Sequence, residues 1–162
     1  MISNEDLHDL AIKIGRDLSD SNKSVTTAES CTGGWVGKVF TGIPGSSNWY
    51  GFGFITYSNR AKLKVLGVKK NSLNTDGAVS EGVVKEMAIG AIEKTGSDYA
   101  ISISGIAGPT GGTEDKPVGT VCFGIGSKNK LNSFTEHFKG NRDEVRKQSV
   151  FFALKELSKC LQ

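Results

Sequence analysis

The run Val25-Thr26-Thr27-Ala28-Glu29-Ser30-Cys31-Thr32-Gly33-Gly34-Trp35 constrains this chain more than any other stretch. β-branched residues open it, small polar residues and a glycine pair close it, and a helical apolar pattern (Trp35, Val36, Val39, Phe40) follows. That order reads as a strand ending at the start of a helix. Ser30, Cys31 and Thr32 are then expected beside backbone N–H groups of the first helical turn, where the helix dipole favours negative charge. A serine held at such a turn can attack an acyl carbon while neighbouring amides stabilise the oxyanion. An ordinary Ser/Thr helix cap beside closely packed glycines accounts for the same residues.

The pattern continues on both sides. Asn4 is expected to cap a first helix with Leu7, Leu10, Ala11, Ile14 and Leu18 on one face. Residues 42–47 read as a loop, and Trp49 to Tyr57 as a strand. Asn59 opens a short helix through Leu66 that Gly67 ends, and Ser80 opens a longer one that Gly96 ends. Tyr99 to Ile106 reads as a strand, followed by a glycine loop from Gly105 to Gly112. Val118 to Ile125 and Leu131 to Phe138 read as a hairpin turning at Gly126-Ser127-Lys128-Asn129, and Asn141 caps the last helix. Strands and helices alternate early and a hairpin comes late. We expect one three-layer α/β/α domain over residues 1–162, with a mixed, mostly parallel sheet.

Composition removes several classes of function. A net charge of +3 with no long basic run gives no argument for nucleic acid, although it tolerates a phosphorylated small substrate. No run approaches the ~20 apolar residues of a membrane span. The polar, acidic start at Met1 to Asp6 is not a signal peptide, so the cytoplasm is the expected compartment. Cys31, Cys122 and Cys160 are far apart, and His8 and His137 are the only histidines, so no metal site is expected. Two scattered histidines also argue against a Ser-His-Asp triad.

Lysine is the remaining base. Lys62 follows the strand carrying Thr56-Tyr57, and strand ends beside helix starts gather at one edge of an α/β sheet. A lysine desolvated there has a lowered pKa and can take the proton of Ser30. A solvated surface lysine is the plainer reading of composition alone. Lys64, two residues along, faces away on a helix. Cys31 is intrinsically the better nucleophile but has no histidine to recruit. Glu29 is placed to orient Lys62 or the substrate, or simply ends the strand as a charge. Four glycines in the loop from Ser104 to Gly112 let backbone amides approach an anion or ring, and Arg142 at a helix start suits a phosphate.

Taken together, the chain resembles the C-terminal domain of the competence-damage-inducible protein CinA, a family that includes stand-alone nicotinamide-nucleotide amidases. The resemblance rests on residues 27–34 (TAESCTGG), Gly45-Ser46-Ser47, Thr56-Tyr57-Ser58-Asn59, Gly77-Ala78-Val79-Ser80, residues 104–109 (SGIAGP), Lys116 to Thr120 and Gly140-Asn141-Arg142. The chain begins about where that module begins, as the stand-alone form does. The resemblance implies the layered α/β/α architecture and hydrolysis of nicotinamide mononucleotide to nicotinate mononucleotide and ammonia. It implies Ser30 as nucleophile, Lys62 as base and Tyr57 as a relay or orienting group. Thr32, Gly33, Gly34, Ser104, Gly105, Gly108 and Arg142 are the expected substrate contacts. No cofactor is implied. Family habit and the aromatics near Trp49 to Phe54 point to a homo-oligomer, with a dimer favoured. The alternative of a different class is a non-catalytic nucleotide-binding or competence-linked interaction module.

Overall fold

The computed structural model describes residues 2–162. The chain runs α1 (Asn4–Asp20), β1 (Val25–Glu29), α2 (Trp35–Thr41), a 3-10 turn (Ser46–Asn48), β2 (Tyr50–Ile55), α3 (Asn59–Leu66), α4 (Lys70–Thr75), α5 (Glu81–Thr95), β3 (Tyr99–Gly105), β4 (Thr120–Ser127), β5 (Leu131–His137) and α6 (Arg142–Cys160). The five strands form one sheet in the order β2-β1-β3-β4-β5. β1 pairs parallel with β2 and β3, while β4 pairs antiparallel with β3 and β5. Four strands therefore point one way and β4 alone runs against them, the mixed, mostly parallel sheet expected.

Alternation along the strands builds two unlike faces. Val25, Ile101, Ile103, Val121, Phe123 and Ile125 pack on one side, beneath α1, α2 and α6. The other side is made of small residues. Ala28, Ala100, Ser102, Cys122 and Gly124 let α5 lie close, and a β-carbon on Gly124 would press against the Val84 carbonyl. On the first side α1 and α6 pack as a pair, through Leu7, Ala11, Ile14 and Leu18 on α1 and Ala153, Leu154 and Leu157 on α6.

Local chemistry explains most boundaries. Gly67 and Gly96 end α3 and α5 in the left-handed conformation expected of them. Ser80 caps α5, and Asn141 caps α6 in a reciprocal box with Glu144. Other boundaries differ from the sequence expectation. α1 is capped by Ser3 rather than Asn4, because only Ser3 is three residues before Asp6, whose carboxylate returns the bond to the Ser3 N–H. α2 starts at Trp35, since both Gly33 and Gly34 have positive φ and belong to the turn. β4 runs through Ser127, so the hairpin turns at residues 128–130 instead of 126–129. The 3-10 turn falls at the end of the stretch read as a loop, and the short α4, which carries no strong apolar period, had no expectation attached.

The sheet's carboxyl edge gathers the site. The chain leaves β1 toward α2 on one face and leaves β2 toward α3 and α5 on the other, which opens a crevice between the ends of these strands. The end of β3 and the start of β4 border the same edge.

Gly90 fixes the height of α3 over this crevice. It lies on α5 against the backbone of Leu66, and a β-carbon there would overlap the Leu66 carbonyl. Glycine to alanine in an exposed helix gains about 1 kcal/mol. Here Gly90→Ala should instead cost roughly 1–3 kcal/mol through overpacking. Urea unfolding measures the sign, and a stabilised variant would mean that α3 is free to move.

Candidate active site

Ser30 is the first residue beyond β1. Its N–H donates to the Ile103 carbonyl at 2.9 Å, so the β1–β3 ladder extends one residue and holds the serine backbone as if it were strand. Only 8% of Ser30 is exposed. The turn that follows needs its glycines, with φ of +60° at Gly33 and +92° at Gly34.

Glu29 explains how that turn survives. It is almost fully buried, and its carboxylate folds back over the turn. It accepts from Thr32 Oγ1 at 2.7 Å, Val36 N at 2.9 Å and Gly37 N at 3.1 Å. Burial pushes the Glu29 carboxyl up, and these donors pull it back toward the charged form. The carboxylate thus takes the α2 amides that the sequence pattern offered to a substrate oxyanion. This corrects the expectation that the first helical turn is open. Glu29 makes no contact with Lys62 and instead caps α2 from the preceding strand.

Lys62 lies in the first turns of α3, which Ser58 caps by accepting from Ala61 N at 3.0 Å. Its stem is buried, with 2% of the residue exposed, while Lys64 is solvated. Lys62 Nζ is 2.9 Å from Ser30 Oγ and 2.8 Å from the Thr56 carbonyl. Burial holds the Lys62 amine below the ordinary lysine range. As an ammonium it donates to both oxygens; as a neutral amine at the same distances it can keep an N–H on Thr56 and turn its lone pair to the Ser30 hydroxyl. Such an arrangement suits a serine and its base. Cys31 also lines the cleft, but burial pushes its thiol up to about 12, which disfavours the thiolate a cysteine nucleophile needs.

A cleft of ≈ 350 Å³ opens above this pair. It brings together Ser30, Tyr57, Lys62, Ser104, Gly105, Gly108 and Arg142 of the expected residues. The Tyr57 hydroxyl does not reach Lys62; it accepts from Arg142 Nη2 at 2.9 Å. Arg142 Nη1 donates to the Gly108 carbonyl at 2.7 Å, so the guanidinium ties the two walls of the cleft together. Two of the first-turn amides of α6 are not free for a phosphate, since Asn141 Oδ1 accepts from both Asp143 N and Glu144 N. The Arg142 side chain is the charged group at this end of α6 that faces the cleft.

Thr32, Gly33 and Gly34 are not in this cleft. They border a separate opening of ≈ 770 Å³ beside His8, Trp35, Lys38 and Arg146. Sequence reasoning gave no site role to Asn59, Ala78 and Val79, which line the Ser30 cleft. Residues 56–59 (TYSN) and 77–80 (GAVS) were the available signal, since both stretches are among those that carry the resemblance.

The fold sits in a wider group of proteins. The family model for the CinA C-terminal domain matches residues 7–161, and the chain belongs to that family. The chain is 51% identical over 157 residues to the nicotinamide-nucleotide amidohydrolase PncC of Escherichia coli (strain K12), covering 96% of this chain and 95% of that protein. It is 50% identical to a CinA-like protein of Endomicrobium trichonymphae over 90% of this chain, which is 34% of that longer protein. The crystal structure of the competence/damage inducible protein CihA from Agrobacterium tumefaciens superposes with a TM-score of 0.93 at 38% identity, covering 97% of this chain and 96% of that one.

A depressed lysine pKa has a stability consequence with a definite sign. Between that value and the ordinary lysine range, the unfolded chain binds more protons at Lys62 than the native state does. Wild type should therefore gain stability relative to Lys62→Met as pH rises through that window. Urea unfolding of both proteins from neutral pH to about pH 10, where an unfolded lysine titrates, measures the difference. A difference that shrinks with pH would mean that Lys62 is buried as the cation.

Proposed function

We propose that the chain is an amidohydrolase that deamidates nicotinamide mononucleotide, with Ser30 as nucleophile and Lys62 as its base. The observation that carries this reading is the 2.9 Å contact between Lys62 Nζ and Ser30 Oγ inside the fold. A buried amine without a carboxylate partner, aimed at a serine hydroxyl at the floor of a cleft, has a proton-transfer chemistry to perform.

The reaction runs in two halves. Ser30 Oγ attacks the carboxamide carbon while its proton passes to Lys62. The tetrahedral adduct collapses, the C–N bond breaks, and Lys62 gives that proton to the departing nitrogen, which leaves as ammonia. Water then attacks the acyl-serine, Lys62 takes its proton and returns it to Ser30 Oγ, and the nicotinate nucleotide departs. The Ser30 N–H is spent on Ile103. The oxyanion donors therefore come from the amides just after Ser30 or from the loop after β3.

The substrate follows from what supports it around the cleft. Its volume lies in the range of small-ligand sites, about 300–1,000 Å³. Ala78, Val79, Ile106 and Ala107 form an apolar wall suited to a pyridine ring, and Arg142 at the rim suits a phosphate. Relatives that match nearly the whole chain carry the name nicotinamide-nucleotide amidohydrolase.

Ammonia release on adding nicotinamide mononucleotide tests the reading. Ser30→Ala and Lys62→Ala should each lower kcat by about a thousandfold or more, and the double variant should be little worse than either, as for groups that act in one step. Additive losses would separate the two residues, and no release by the wild type would leave a binding module. Chelator should leave the rate unchanged.

Arg142→Ala should weaken use of the nucleotide by roughly 1.5–3 kcal/mol, the scale of a charge-assisted contact. Slow hydrolysis of free nicotinamide should be spared. Equal damage to both substrates would assign Arg142 to the wall it ties rather than to a phosphate.

A further inference from the structure

We infer that Arg146 is a positioning residue for Ser30, an inference that rests on the serine-lysine reading of the site. It stands one helical turn beyond Arg142 on α6 and points away from the Ser30 cleft, across the turn that follows the serine. Its Nε donates to the Cys31 carbonyl at 3.0 Å and its Nη2 to the Thr32 carbonyl at 3.2 Å. The guanidinium lies 5.3 Å from the ring centre of Trp35, which limits its rotation. The third contact, to Asp143 at 3.2 Å, is a solvated ion pair and adds little.

The two carbonyls matter because a peptide group is rigid. Each carbonyl and the N–H that follows it lie in one plane and point in opposite directions. Holding the Cys31 carbonyl fixes the direction of the Thr32 N–H, which donates to no protein acceptor among the described residues. The Thr32 carbonyl also accepts from Trp35 N at 3.1 Å, so Arg146 is its second donor; holding it fixes the Gly33 N–H, which donates to the Ser30 carbonyl at 3.0 Å. Arg146 therefore reaches Ser30 through one peptide unit and sets a free amide beside it through the other. Together with the Ser30 N–H on Ile103, this holds the nucleophile from both sides. Glu29 restrains the helical amides of the same turn but not these two carbonyls. A lysine in place of Arg146 cannot do the same, since an ammonium is a point charge and a guanidinium is a planar fork that spans two acceptors.

The test compares wild type, Arg146→Lys and Arg146→Gln by three measurements. These are kcat and KM for nicotinamide mononucleotide, the rate at which phenylmethanesulfonyl fluoride labels Ser30, and the melting temperature. For Arg146→Gln we expect kcat to fall about tenfold to a hundredfold, the cost of a misplaced reacting group, with KM nearly unchanged. The labelling rate should fall in step, because labelling needs the same oriented hydroxyl. Arg146→Lys should keep the fold and recover only part of both rates. Unchanged kcat and labelling rate in folded Arg146→Lys and Arg146→Gln, with only a lower melting temperature, would overturn the inference and leave Arg146 a cap for two carbonyls. A rise in KM alone would overturn it too and make Arg146 a substrate contact. A wild type that labels at Ser30 but releases no ammonia would defeat the substrate assignment, and the labelling rates of the variants would still decide the role of Arg146.

Discussion

An amine held in the protein interior by two neutral oxygens is the constraint on which this structure turns. A buried cation without a counter-charge is costly, and proteins avoid the cost by neutralising the group. Lys62 has no carboxylate within ion-pair distance among the described residues, only the Ser30 hydroxyl and the Thr56 carbonyl. The same absence of a partner that makes Lys62 a poor contributor to stability suits it to the base role proposed for it. A nearby Asp or Glu would restore its charge and remove its lone pair. The acidic residue next to Ser30 in sequence, Glu29, is turned the other way and consumed by α2.

Fold and site are linked by the unequal faces of the sheet. Small residues on one face bring α5 in close, and Gly90 then seats α3 with Lys62 on it. Large residues on the other face hold α6 further out, where its first turns reach over the end of β1 and across the cleft. Serine, lysine and arginine thus come from three chain segments whose separation depends on side-chain volume at strand positions far below the cleft.

What could be read from the amino-acid pattern was what depends on near neighbours. The glycine C-caps, the Ser80 and Asn141 N-caps and the β1–turn–α2 unit are local events, and they fall within a residue or two of expectation. The pairing of Ser30 with Lys62 was accessible from strand-end geometry, but the choice of lysine over a solvated alternative came from family likeness. Roles that depend on a side chain crossing the fold were not legible. Glu29 bonds amides seven and eight residues ahead, a reach that only the folded turn allows. Thr32, Gly33 and Gly34 sit beside the nucleophile in sequence but border another opening, because a turn with two left-handed glycines reverses the side to which its residues face. Arg146 gave no signal at all, since a basic residue in an amphipathic helix is ordinarily a solvated one.

The pairing of α1 with α6 gives the amino-terminal helix a remote lever on the chemistry. No residue of α1 lines the Ser30 cleft. Yet Leu7, Ala11, Ile14 and Leu18 set the depth and rotation at which α6 rests, and α6 carries both Arg142 and Arg146. A change of volume along that apolar stripe would shift two guanidinium groups in concert. With the roles proposed for those arginines, a core substitution near the start of this chain becomes a tuning site for turnover, and a screen confined to the cleft would overlook it.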